Sequence, residues 1–158
     1  MSVLDDLLRG RGAHADPIAC FDGIDAALAT RRLEGAPHTI WQLLVHLNYW
    51  MEYEARSIEG PEVPYPAHAG ESWPAADAPV DESAWRRERA RLADLLGRLA
   101  AFGRDAAIQS RIVHPAKGES AHDVLWQMVA HNSYHVGQVA LLRRAFGAWP
   151  PPAGGDSW

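Results

Sequence analysis

The run Thr39-Ile40-Trp41-Gln42-Leu43-Leu44-Val45-His46-Leu47-Asn48 decides the fold. Thr39 followed three residues later by Gln42 is a capping-box pattern, in which each side chain satisfies a backbone N–H that the first helical turn leaves free. The apolar residues that follow carry the helix forward to about Ile58, before Gly60-Pro61. His46 stands inside this apolar stretch, sharing its face with Thr39, Gln42, Leu43, Trp50 and Tyr53. Burying an imidazole among leucines costs free energy unless its nitrogens find partners. A backbone carbonyl is one such partner and a metal ion is another.

Upstream, Asp16 is an N-cap acceptor with Pro17 at the first helical position, and Ile18, Phe21, Ile24 and Leu28 form an apolar stripe. These residues predict a first long helix, preceded by a short helical turn over Val3 to Leu8. Downstream, residues 59 to 80 hold the prolines at 61, 64, 66, 74 and 79 and read as an extended link. A third helix is expected from Asp81, burying Trp85, Leu92, Leu95, Leu96, Leu99 and Phe102. Residues 104 to 119 are irregular, with a turn at Pro115-Ala116-Lys117-Gly118 and room for short strands beside it. Ser120 and Asp123 then open a fourth helix, which Gly147 and the prolines at 150 to 152 end near Phe146.

Link lengths constrain the path. The first connection is short, so helices one and two should be antiparallel neighbours. The second, at ~3.3 Å per residue, can reach ~70 Å and so return across a ~30 Å helix. The expectation is a single all-α domain over residues 1–158, a four-helix bundle in up-down-down-up order with the long link between helices two and three. Trp41, Trp50, Trp85 and Trp126 are expected between helices or at a dimer contact, while Trp73, Trp149 and Trp158 should pin the proline-rich segments.

Composition narrows the function classes. The 158 residues are 47% hydrophobic and 22% charged with a net charge of −5, which argues against a nucleic-acid footprint. No apolar run approaches the ~20 residues of a membrane span, and Met1-Ser2-Val3-Leu4-Asp5-Asp6 is not a basic-then-apolar signal. The one cysteine, Cys20, forms no intrachain disulfide and reads as a small core residue. A cytoplasmic chain is expected. No Gly-x-Ser-x-Gly elbow, phosphate loop or dinucleotide fingerprint occurs.

Of eight histidines, only His131 and His135 are four residues apart. One helical turn puts both imidazoles on one face, which also carries Val124, Gln127, Met128, Gln138 and Leu142. His122 points about 180° away from His131 on the same helix. His14, His38, His68 and His114 fall in loops and are not expected as ligands.

The run Thr39 to His46, followed by His131-Asn132-Ser133-Tyr134-His135-Val136-Gly137-Gln138, resembles the DinB/YfiT-like family of metalloenzymes, the DinB superfamily. The resemblance continues through Leu141-Leu142-Arg143-Arg144 to Gly147-Ala148-Trp149-Pro150-Pro151 and includes Trp73-Pro74 in the link. It implies the same up-down-down-up bundle, often dimeric. It also implies one divalent metal ion, zinc or nickel, held by His46, His131 and His135. Relatives in that family are thiol-dependent S-transferases, a thiol-dependent isomerase and proteins described as metal-dependent hydrolases.

Three neutral ligands with an open position would activate a low-molecular-weight thiol or water for attack on a small-molecule electrophile. Gln42, Tyr53, Asn132, Tyr134 and Gln138 are the candidate pocket residues, with Gln42 and Gln138 nearest in helical phase; each is equally an ordinary polar residue of a bundle interior. Glu54 is the carboxylate nearest in phase. The competing expectation is a non-catalytic, stress-related bundle that binds metal and a small ligand. A DNA-binding role has only a family label behind it and the acidic charge against it.

Overall fold

A computed structural model describes residues 3–61 and 63–154. The chain is predominantly helical, in the order α1 (Val3–Leu8), α2 (Pro17–Cys20), α3 (Ala26–Ala29), α4 (Ile40–Glu59), α5 (Glu82–Phe102), α6 (Ala106–Gln109) and α7 (Ala121–Ala145). A 3-10 turn, Ala69–Ser72, interrupts the link before α5. Strands β1 (Ile112–His114) and β2 (Glu119–Ser120) form one antiparallel hairpin, with Ile112 opposite Ser120. Among the described residues no helix is long and apolar enough to cross a membrane.

Local chemistry starts each long helix where the sequence signals it. Thr39 Oγ1 accepts from Gln42 N at 3.2 Å while Gln42 Oε1 accepts from Thr39 N at 3.1 Å. Asp81 caps Ala84 at 2.7 Å, and Ser120 and Asp123 make the second capping box. Such caps stabilise a helix by about 1 kcal/mol each, enough to set where it begins.

The expected first long helix is corrected to two four-residue pieces, α2 and α3. Asp16 caps α2 through Ile18 N and Ala19 N, and Asp25 caps α3 through Leu28 N. Between them Gly23 takes φ +71°, where a Cβ would meet the Pro152 ring at 2.7 Å. Two Asp caps around a left-handed glycine outcompete a continuous ladder. The apolar stripe survives the break: Phe21 and Ile24 are buried, with Ile18 and Leu28 packed against the core.

α4 packs chiefly on α5 and also on α7, while α1 and α2 lie against both α5 and α7. Trp85 is fully buried and donates its indole N–H to the Ile24 carbonyl at 2.6 Å. Arg143 is only 2% exposed, and its guanidinium donates to the carbonyls of Cys20 (2.8 Å), Asp22 (2.7 Å) and Ala148 (2.9 Å). One side chain on α7 thus joins the end of α2, the turn at Gly23 and the C-terminal tail, neutralising carbonyls that no helix satisfies. Trp41, Trp50, Trp73 and Trp149 pack against the core, whereas Trp126 is 40% exposed and lies outside it. Trp158 falls outside the described residues.

Candidate metal centre

His46 projects from the middle of α4, and His131 and His135 project from successive turns of α7, the helix that packs on it. Ring centroids lie 5.1 Å apart for His46–His131, 4.7 Å for His46–His135 and 4.6 Å for His131–His135. Each ring offers one nitrogen to a common point, and the three nitrogens lie within 4.8 Å of one another. His46 Nε2 and His131 Nε2 are 3.2 Å apart.

The protons on these rings follow from their other partners. Ser72 donates its hydroxyl hydrogen to the Ala69 carbonyl at 2.6 Å, so its oxygen accepts from His46 Nδ1–H at 2.8 Å. Gln138 Oε1 accepts from His135 Nδ1–H at 2.7 Å. Both rings therefore keep a bare Nε2 lone pair, the tautomer a metal ligand needs. His131 Nδ1 lies a long 3.5 Å from Asn132 Oδ1. Two imidazoles on one tetrahedral ion with bonds of ~2.0–2.1 Å would place their nitrogens about 3.3 Å apart, and adjacent octahedral positions about 3.0 Å. The 3.2 Å between the His46 and His131 nitrogens falls between these values, while the three nitrogens together spread over as much as 4.8 Å, so sharing one ion would draw the rings closer. Three imidazole nitrogens are also a donor set suited to zinc or nickel.

Electrostatics keep the rings neutral. Burial is the main cause that pushes His46 down to about 3, assisted by His135, His131 and His38 and opposed by the Ser72 backbone. Burial likewise brings His131 down to about 4, with His135 adding to it. His135 is lowered by burial and by His38, against the Gln138 bond. At neutral pH a cation entering this cluster would have no protons to displace.

The proline-rich link supplies the roof. Trp73 lies sandwiched between two imidazoles, stacked on His46 at 3.7 Å and on His38 at 3.6 Å, with its edge toward His135. The link is tied down by Gln42, whose amide donates to Pro74 O at 3.3 Å and Asp77 Oδ1 at 3.1 Å, and by Thr39 Oγ1, which donates to Asp77 O at 2.8 Å. Asp77 in turn accepts from Arg32 at 3.2 Å. Ser72, Trp73, His38 and Asp77 are all absent from the residues that helical phase selects. Trp73-Pro74 was the one visible sign that the link matters. Replacing Ser72 by Ala should weaken metal binding by about 10–100-fold with all three ligands intact, because His46 loses the acceptor that fixes its tautomer. Competition with a chelator measures it.

Gln138 bonds His135 directly, while Gln42 serves the link instead. Asn132 is buried beside His131 and directs its amide at Met51 Sδ, 3.3 Å away. Tyr134 is 66% exposed with its ring edge-on to His135. Tyr53 is not brought to the cluster: its hydroxyl donates to Val63 O at 3.1 Å and its ring stacks on His114. Glu54 also lies elsewhere, eight residues or ~12 Å along α4 from His46, bonded to His114 Nε2 at 2.9 Å. Cys20 is buried and its thiol is pushed up to about 12, mainly by that burial, which leaves it unreactive.

A family model described as the DinB superfamily matches residues 13–139, a span that holds all three histidines and the link between them. No curated protein and no solved structure matches the chain.

Proposed function

The chain belongs to the DinB superfamily, and from that premise we propose that it is a divalent-metal-dependent enzyme whose ion is held by His46, His131 and His135. The observation that carries this reading is the convergence of three neutral imidazoles, two of them with Nδ1 protons pinned by Ser72 and Gln138. Held by three neutral ligands, a zinc or nickel ion would supply the Lewis acidity that acidifies a low-molecular-weight thiol or water and polarises a carbonyl. The chain's own residues do the rest. Ser72 and Gln138 orient the rings, and Trp73 covers one face of His46 against solvent.

The reaction proposed is transfer of a thiol, or of water, to a small electrophile, as in S-transferases or hydrolases. The chain is proposed as one cytoplasmic domain over residues 1–158 that assembles as a homodimer. Its helices are proposed to follow the family's up-down-down-up bundle order, with α2 and α3 as a broken first helix.

The test compares metal-loaded and metal-stripped protein in thiol-conjugation and in ester and amide hydrolysis assays. Turnover present only with metal supports the enzyme. Activity unchanged by stripping removes the metal from the reaction. Full metal loading with no turnover on any substrate favours the alternative, a non-catalytic bundle that binds metal and a small ligand.

A further inference from the structure

A cavity of about 360 Å³ opens beside the histidine cluster, between the Leu33–His38 loop and the outer half of α7. Its volume falls in the range of small-molecule sites, ~300–1,000 Å³. Leu33, Leu43, Leu141 and Leu142 give the wall its large apolar side chains, and Leu141 is 63% exposed.

Two polar side chains face the space, and both belong to the surroundings of the metal ligands. Gln138 uses its Oε1 to hold His135, while its Nε2 has no hydrogen-bond partner among the described residues. His38 stacks on the face of Trp73 opposite His46. A molecule in the cavity would therefore contact Gln138, which holds His135, and His38, which stacks on the Trp73 that covers His46.

Charge selects what enters. Among the described residues no lysine or arginine lines the cavity: the exposed Glu34 does, and the nearby Arg32 is paired with Asp77. A carboxylate or phosphate placed there would lose hydration, find no unpaired cation on the wall and meet a like charge. Burial and Arg32 hold His38 below its ordinary value, so it supplies no standing positive charge at neutral pH. The half-buried Gln138 Nε2, with no protein partner among the described residues, is a donor that an acceptor such as a carbonyl oxygen can take in place of water.

We propose that this cavity binds a small, uncharged, apolar molecule bearing a carbonyl-type acceptor, with Leu33, Leu43, Leu141 and Leu142 against its apolar body and Gln138 Nε2 donating to its oxygen. As the substrate class of the neighbouring centre, this rests on the function proposed above; as a binding site, it does not. Neutral ketones, esters and enones fit, and anionic electrophiles do not.

The experiment titrates acetophenone and, separately, benzoate into tag-free protein, metal-loaded and metal-stripped, while recording side-chain amide resonances by NMR. The expected result is saturable acetophenone binding in both forms with a shift of the Gln138 amide. Benzoate should bind more than about tenfold more weakly. Leu141→Glu, at an exposed position, should weaken acetophenone binding by about tenfold or more while the rest of the spectrum stays folded. Absence of acetophenone binding, equal binding of benzoate, or an unaffected Gln138 amide would each overturn the inference. Metal content measured on the same samples separates the two readings. Acetophenone binding by protein that takes up no metal leaves the cavity standing and removes the metal enzyme; full metal loading without acetophenone binding does the reverse.

Discussion

His131→Ala should weaken binding of zinc or nickel by more than about a hundredfold. Removing an outer partner of a ligand already costs about 10–100-fold, and this change removes a ligand itself. The other two rings cannot compensate. His46 is held by Ser72 and stacked under Trp73, and His135 is held by Gln138, so neither can swing to close the gap. Stability should follow. A ligand present at about a thousand times its Kd adds about 4 kcal/mol to the folded state, and the variant should lose that increment while the metal-free proteins melt close together. Chelator competition and thermal melts with and without added ion measure both effects. An affinity within tenfold of the parent would mean that His131 is not a ligand.

Trp85→Ala should cost about 3–5 kcal/mol of folding stability, the range for emptying a large buried aromatic site. The indole is fully buried on α5, tilted against Phe21 and Trp41, and its N–H satisfies the Ile24 carbonyl. That carbonyl is free because α2 and α3 are separate pieces, so truncation leaves both a cavity and an orphaned acceptor. In a domain of this length each kcal/mol shifts the melting temperature by about 2–4 °C, which predicts a fall on the order of 10 °C. Trp85→Phe keeps most of the volume and loses the hydrogen bond, and should fall between the two. A loss below about 1 kcal/mol for the alanine variant would contradict this packing.

The parts of the fold legible beforehand are those whose physics is local. Thr39 and Gln42, Asp81 and Ala84, and Ser120 and Asp123 are three residues apart, so each helix start is written in adjacent chemistry. His131 and His135 share a face for the same reason. The break at Gly23 escaped because Ile18, Phe21, Ile24 and Leu28 present the same spacing to the core whether the helix is continuous or cut. What decided it was competition between Asp caps and ladder bonds, which periodicity does not record.

At the site, helical phase placed Gln42 and Gln138 near the ligands but did not say what their amides would meet. Gln138 found His135, and Gln42 found the link. Ser72, Trp73 and His38 lie in segments without a period, and only bonds across 26 or more residues bring Ser72 to His46. Sequence reading had no handle on contacts of that range. Glu54 shows the converse: its phase is close to that of His46, yet two turns of rise carry it to the hairpin and His114.

The account turns on one cation shared by three imidazoles. Titrating zinc and nickel into metal-stripped, tag-free protein, with X-ray absorption at the bound metal's edge, tests it most directly. It predicts one equivalent of ion per chain with three histidine nitrogens in its coordination sphere. Binding that fails to reach one equivalent, or a saturated ion with fewer than three imidazoles, would contradict it.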